Sequence, residues 1–398
     1  MGSHSPCRRN GAAAMIKLTP FQWSAFNFFG FFCAYGVFLP FLPVWLKQYG
    51  YSTEMIGLLA SFGYLFRFAG GMLASQQVKS PNQLIPTARI LTLLNLIVIV
   101  VIAWSAESIW LLFPALMLFH IFNAGAMPIG DSIASLWQQQ VGIDYGKARL
   151  FGSIAFVVGS LSTGYLTGWL GENSIIWIMF GFFILLGCGQ LLTPKVNFET
   201  QQDKKSSSNL SYWQILKEPT TLRMMLAVSL ILGSHAAYYT YSTIHWSAAG
   251  ISTQTSSLLW GFAVCAEILF FLFSNRLFKS WRIAHLMMIA SVIAIIRWSI
   301  LASTTEITLL VISQTFHAIT FGMAHYAMIR YISAQNPEKI TKLQGLYFAL
   351  SNCGFTAIFT FVSGMLYQDM PNFAFWLMAI IAVPAIFIVP KKFNTTLR

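Results

Sequence analysis

The sequence predicts an all-α membrane protein with twelve transmembrane helices in two pseudo-symmetric six-helix bundles, and three observations lead there. Of 398 residues, 56% are apolar and 9% charged, where a soluble domain carries about a quarter charged residues. The apolar residues fall in blocks close to the roughly 20 residues that a helix needs to cross a bilayer. The basic residues, which give a net charge of +12, gather on one side of the expected helix connections.

Taken in order, the blocks predict helices over 21–46, 54–77, 84–105, 108–138, 149–170, 174–193, 221–246, 253–275, 283–303, 307–333, 342–368 and 372–390. Residues 1–14, MGSHSPCRRNGAAA, precede a second methionine at 15 and read as a disordered extension or expression remnant. Residues 15–193 form the first bundle, 194–220 a polar linker rich in Lys, Ser and Gln, and 221–398 the second bundle. Two echoes support a duplication: KARLFGS (147–153) against ITKLQGL (340–346), and GGMLASQQVKS (70–80) against LFSNRLFKSWR (272–282).

An even helix count puts both termini on one side. Arg8, Arg9, Lys79, Arg89, Lys147, Arg149, Lys204, Lys205, Arg276, Lys279, Arg282, Arg330, Lys339 and Lys391 lie at the termini or the even-to-odd connections. The opposite connections carry Glu107, Glu172, Glu306 and Asp369, with Lys47 as the one cation. The positive-inside rule then places both termini in the cytoplasm of a bacterial inner membrane. That asymmetry accounts for the basic charge, so no basic stripe is left to suggest a nucleic-acid partner.

Cys33, Cys188, Cys265 and Cys353 lie inside apolar helices and Cys7 in the tail, so neither a metal site nor a disulfide framework is expected. No cleavable signal peptide is expected, and the first helix serves as the insertion signal. Walker A, HExxH, GxSxG and paired CxxC patterns are absent. The reading is of a non-enzyme without cofactor or metal, driven by a gradient or by its substrate.

Charged side chains inside a bilayer cost at least about 2.5 kcal/mol and face cavities or one another. Here they are Arg67 in helix 2, Asp131 in helix 4, Glu267 in helix 8 and Arg297 in helix 9, with Arg149 at the start of helix 5. Asp131 follows NAGAMPIG, where Gly and Pro distort the helix; it lines a cavity or pairs with a neighbouring base. Glu267, within AVCAEILFF, carries a proton or forms a bridge to Arg297, and breaking such a bridge would couple protonation to movement. His317 and His325, two turns apart, share a face of helix 10 and suit proton relay. His235 lies near charges and is read with them, whereas His120 and His245 read as hydrogen-bonding residues between helices. Tyr238, Tyr239 and Tyr241 in HAAYYTYSTIHW suggest contact with a ring-bearing substrate, although Tyr241 and Trp246 equally suit the bilayer interface.

These residues resemble the major facilitator superfamily, and within it the 3-phenylpropionate permease branch. FCAYGVFLPFLPVWLKQYG (32–50), DYGKARLFGSIAFVVGS (144–160), SHAAYYTYSTIHWSAAG (234–250) and AHYAMIRYISA (324–334) carry the likeness, which runs from about Met15 to Pro390. Asp131 and Arg149, eighteen residues apart, are similar to a substrate-binding pair of lactose-permease-type proton symporters. Glu267, Arg297 and His317 likewise resemble their acid, arginine and histidine of helices 8, 9 and 10. Where that group has a second acid one turn after the histidine, this chain has Thr320. The acid and paired bases of the usual helix 2 to 3 loop are also absent, apart from Lys79.

The resemblance implies proton-coupled import of a small aromatic carboxylate such as 3-phenylpropionate by alternating access, with the protein acting as a monomer. Arg67, Arg149 or Arg297 would meet the carboxylate. Phe156, Tyr238, Tyr239 and His235 would line the site with Asp131, and Glu267, His317 and His325 would handle the proton. A symporter for a neutral sugar or nucleoside, and a membrane ligand sensor that transports nothing, are the alternative readings.

Overall fold

The computed structural model describes residues 17–78, 80–198 and 211–390. The extension expected over 1–14 and the middle of the expected linker therefore lie outside the described residues. Twelve membrane-length helices are present among those described: α1 Pro20–Gln48, α2 Thr53–Gln77, α3 Leu84–Trp104, α4 Ile109–Val141, α5 Tyr145–Leu170 and α6 Ile175–Leu191, then α7 Pro219–Ala248, α8 Thr253–Phe278, α9 Ile283–Ser303, α10 Ile307–Ser333, α11 Glu338–Tyr367 and α12 Pro371–Ile388. The chain is a multi-pass membrane protein.

The packing scheme repeats between halves. In the first, α1 packs on α5 and α6, α2 on α4, and α3 on α4 and α6; in the second, α7 packs on α11 and α12, α8 on α10, and α9 on α10 and α12. The halves meet through α2 against α11 and α5 against α8, two contacts that a two-fold axis exchanges, and through α1 against α7. The opening helix of each bundle is the most enclosed. The apolar windows of α1 and α7 are 83% and 72% buried, against 33% for α2, α3, α8 and α12.

Backbone chemistry sets the helix ends in the same paired manner. Gly50 and Gly250 each take φ of 83°, a left-handed geometry that glycine adopts without a Cβ clash. Two residues on, the Ser52 and Ser252 hydroxyls accept from the Met55 and Thr255 N–H groups and start α2 and α8. α5 begins at Tyr145, four residues before the predicted start, because the Asp144 carboxylate caps it by accepting from the Lys147 N–H. α6 stops at Leu191 because Thr193–Pro194 pairs in parallel with Lys17–Leu18.

Irregular turns concentrate where the sequence predicts plain helix. α7 breaks at Ser234 and His235, and π turns interrupt α10 over Ala318–Met323 and α11 over Phe348–Phe355. Single π turns inside α-helices mark functional positions. Pro128 lies inside α4, three residues before Asp131.

The halves close against each other at one end. The Thr53 hydroxyl donates to Gln368 Oε1 at 2.6 Å, the Tyr241 hydroxyl to the Thr53 carbonyl at 3.0 Å, and the Ser61 hydroxyl to the Ala357 carbonyl at 2.9 Å. Glycines permit the approach: a Cβ on Gly57 would lie 2.8 Å from the Gly364 Cα, and one on Gly164 2.1 Å from Ser257 Oγ.

Candidate functional site

Among the described residues, the charged groups that the sequence places inside the spans fall in three clusters. The first is the pair predicted from spacing: Arg149 Nε lies 3.6 Å from Asp131 Oδ1, and Asp131 also accepts from the Tyr145 hydroxyl at 3.0 Å. The Arg149 guanidinium lies over the Phe32 ring at 4.2 Å and the Phe28 ring at 5.3 Å. It is engaged on both its ionic and its aromatic sides.

The second cluster centres on Arg297, which is fully buried. Its Nη1 donates to His317 Nδ1 at 3.0 Å and to Thr320 Oγ1 at 2.9 Å, and its Nη2 approaches Gln314 Oε1 at 3.4 Å. The guanidinium lies between Tyr238 and Trp298, 4.6 and 4.5 Å from their ring centres. Among the described residues no carboxylate pairs with it. A buried cation held by ring faces and neutral acceptors alone is expensive, and each desolvated ring contact returns roughly 2 kcal/mol.

Glu267 does not bridge to Arg297 directly. Its Oε2 lies 3.2 Å from His317 Nε2, so the imidazole stands between acid and base. Arginine can only donate, which makes Nδ1 of His317 an acceptor and leaves the ring proton on Nε2, where it is given to Glu267. Thr320, which accepts from Arg297, turns its own O–H toward His235 Nε2 at 3.1 Å. His235 Nδ1–H in turn faces the Ile231 and Leu232 carbonyls at 3.1 Å each, at the break in α7, where the Leu232 carbonyl also accepts the His235 backbone N–H and the Ile231 carbonyl the Ser234 hydroxyl. The chain of donors is thus directional outward from Arg297.

Around this network Tyr238 is fully enclosed, stacked on Trp260 at 4.5 Å, with its hydroxyl donating to Gln314 at 2.9 Å. Phe156 packs on Tyr35 and Trp260. His317, Phe321 and His325 stack as a ladder on one face of α10, with centroids 5.3 and 6.1 Å apart, and His325 Nδ1 meets the Tyr347 hydroxyl at 2.8 Å.

The third cluster lines a narrow cavity of about 50 Å³ between α1, α2, α4 and α7, walled by Phe38, Leu42, Leu59 and Leu116 and bearing Arg67, His120, Tyr64 and Tyr239. It is smaller than the several hundred Å³ usual for ligand pockets, so it must widen to load. Arg67 lies over the Tyr35 ring at 5.3 Å and hydrogen-bonds that side chain. The sequence presents His120 as an ordinary interhelical residue, and only the fold brings it to this cavity. No group of three His, Cys, Asp or Glu side chains among the described residues could hold a metal ion.

The family model described as the MFS_1 like family matches residues 21–378. The chain belongs to that family of major facilitator transporters. This MFS_1-like transporter is 36% identical over 370 residues to the probable 3-phenylpropionic acid transporter of Escherichia coli (strain K12), covering 93% of this chain and 97% of that one. It is 24% identical to the maltose permease of Geobacillus stearothermophilus, over 97% of each chain. In fold it matches the crystal structure of the nucleoside transporter NupG, with a TM-score of 0.79 at 16% identity, covering 94% of this chain and 100% of that chain. As a transporter it is not an enzyme.

Proposed function

We propose that this transporter imports a small aromatic carboxylate such as 3-phenylpropionate together with protons, by alternating access in a bacterial inner membrane with both termini cytoplasmic. The observation that carries the reading is the Arg297 network: a buried cation with no carboxylate partner among the described residues, joined through one imidazole to the membrane acid Glu267. With Arg67, Arg149 and Arg297 set against Asp131 and Glu267 inside the spans, one cation is left over to favour an anionic substrate, and the Arg297 network places a titratable pair beside it for a proton. Tyr239, Tyr238, His235 and Phe156 supply aromatic surface nearby. The name of the Escherichia coli relative supports the same substrate class. With the basic connections inside, the closed end described above is the outer one.

The test is substrate-induced alkalinisation of the medium by cells expressing the protein at mildly acidic pH, with 3-phenylpropionate, cinnamate, lactose and a nucleoside. The expected result is alkalinisation with the aromatic acids alone, lost in Glu267→Gln while substrate exchange persists. A response to the sugar or nucleoside instead would discard the aromatic-acid assignment. That second reading, a symporter for a neutral solute, is favoured by the Asp131–Arg149 pair, whose donors and acceptors suit hydroxyl groups.

A further inference from the structure

Three arginines could meet an anionic substrate, and their surroundings separate them. Arg149 is already paired with Asp131. Arg297 is fully buried, with Nη1 and Nη2 turned to His317, Thr320 and Gln314. Arg67 alone of the three lines the cavity; its Nε, like that of Arg297, is buried without a hydrogen-bond partner. Among the described residues no carboxylate lies within ion-pair distance of it. On the same cavity, His120 is 7% exposed and its Nδ1 also has no partner. Two buried polar atoms without partners, on residues that line one cavity, are costly unless something else fills their valences, since each orphan forfeits its hydration.

The geometry points to Arg67 and His120 as the carboxylate anchor, with the ring of the substrate lying along Phe38, Leu42, Leu59 and Leu116. This inference rests on the aromatic-carboxylate reading above and adds which of its cations binds. It gives Arg297 a different task, that of a positioning residue which holds His317 in one tautomer. The cavity is apolar along its length and cationic at Arg67, the complement of a flat acid with one charged end. Gly63 is part of the arrangement: a Cβ there would lie 2.2 Å from His120 Nε2, so the glycine is what lets the imidazole sit against α2.

The experiment is equilibrium binding of radiolabelled 3-phenylpropionate to purified protein in liposomes, with the uncharged 3-phenylpropionamide as competitor. Losing a charge-assisted contact weakens binding by roughly ten- to a hundredfold. Arg67→Gln is expected to weaken the acid by that factor while leaving competition by the amide unchanged, and Arg67→Lys to fall between. Gly63→Ala, which removes no polar group, is expected to weaken the acid by displacing His120. Acid binding by Arg67→Gln at the wild-type level overturns the proposal while leaving the aromatic-acid reading intact. Equal loss of acid and amide, with no recovery in Arg67→Lys, also overturns it, because Arg67 is then structural. If wild-type protein binds neither compound, the functional reading itself has failed and the anchor with it.

Discussion

Replacing Gly57 by alanine should unlock the closed end. The new Cβ would sit 2.2 Å from the Tyr241 hydroxyl and 2.8 Å from the Gly364 Cα. Neither neighbour can retreat cheaply: the Tyr241 hydroxyl is bonded to the Thr53 carbonyl at 3.0 Å and its ring is stacked on Tyr367 at 4.4 Å, while Gly364 is backbone of α11. Overpacking of this kind costs about 1–3 kcal/mol. The gain in helix propensity from Gly to Ala, up to about 1 kcal/mol, applies to both conformations and cancels from the equilibrium between them. Only the conformation closed at this end bears the clash, so the balance should move toward the opposite-facing state by roughly 5- to 150-fold. Spin labels at Lys47 and Asp369, one in each half at this end, placed in a background with the native cysteines replaced, would report the change as a longer interlabel distance. A distance distribution identical to that of the parent protein would refute the reasoning, because it would mean that the interface absorbs a methyl group without opening.

Other outcomes follow from single contacts. Thr320→Val keeps the shape but leaves His235 Nε2 and one of the two N–H groups of Arg297 Nη1 without a partner, at about 1–3 kcal/mol per buried group, and should lower the melting temperature by several degrees where Thr320→Ser does not; equal melting of both variants and the parent would show that the network has other partners. At the membrane surface, the backbone N–H of Lys147 holds the Asp144 carboxyl below its ordinary range, with the Lys147 charge adding to the effect. A depressed carboxylate stabilises above its unfolded titration range and loses that contribution as pH falls through its folded value. The melting difference between Asp144→Ala and the parent should accordingly be present at neutral pH and shrink as the detergent solution is acidified through the carboxylate range, whereas a difference that grows on acidification would reverse the assignment of the cap.

The helix count and the fold are legible in the sequence because the bilayer imposes one length and one polarity on every span. The placement of Asp131, Arg149, Glu267, Arg297 and His317 inside spans is legible for the same reason, since charge inside an apolar block is conspicuous. What the chain does not reveal locally is which imidazole lies between which charges. The position of His317 between Glu267 and Arg297 depends on the packing of α8, α9 and α10 together, and a direct Glu267 to Arg297 bridge is the simplest expectation from the helices alone. His120 is easily undervalued, because a lone histidine in an apolar helix looks the same whether it faces a neighbour or a cavity. The turns carry a clearer signal: GYST at 50–53 and GIST at 250–253 repeat at an offset of 200 residues and build identical turns with the same glycine angle and the same serine cap. The π turns of α10 and α11 leave no such mark, because their residues are as helix-compatible as those around them.

The lone pair on His317 Nδ1 admits one guest at a time. While the guanidinium of Arg297 occupies it, no second proton can be taken up there; once a proton arrives, the arginine must already have withdrawn. Two cations thus exclude each other from a single atom, and the exclusion fixes an order of events without any moving lid. If protons pass this way, as proposed above, that ordering would work as a turnstile, with passage counted and idle leakage through the imidazole blocked until the arginine swings away.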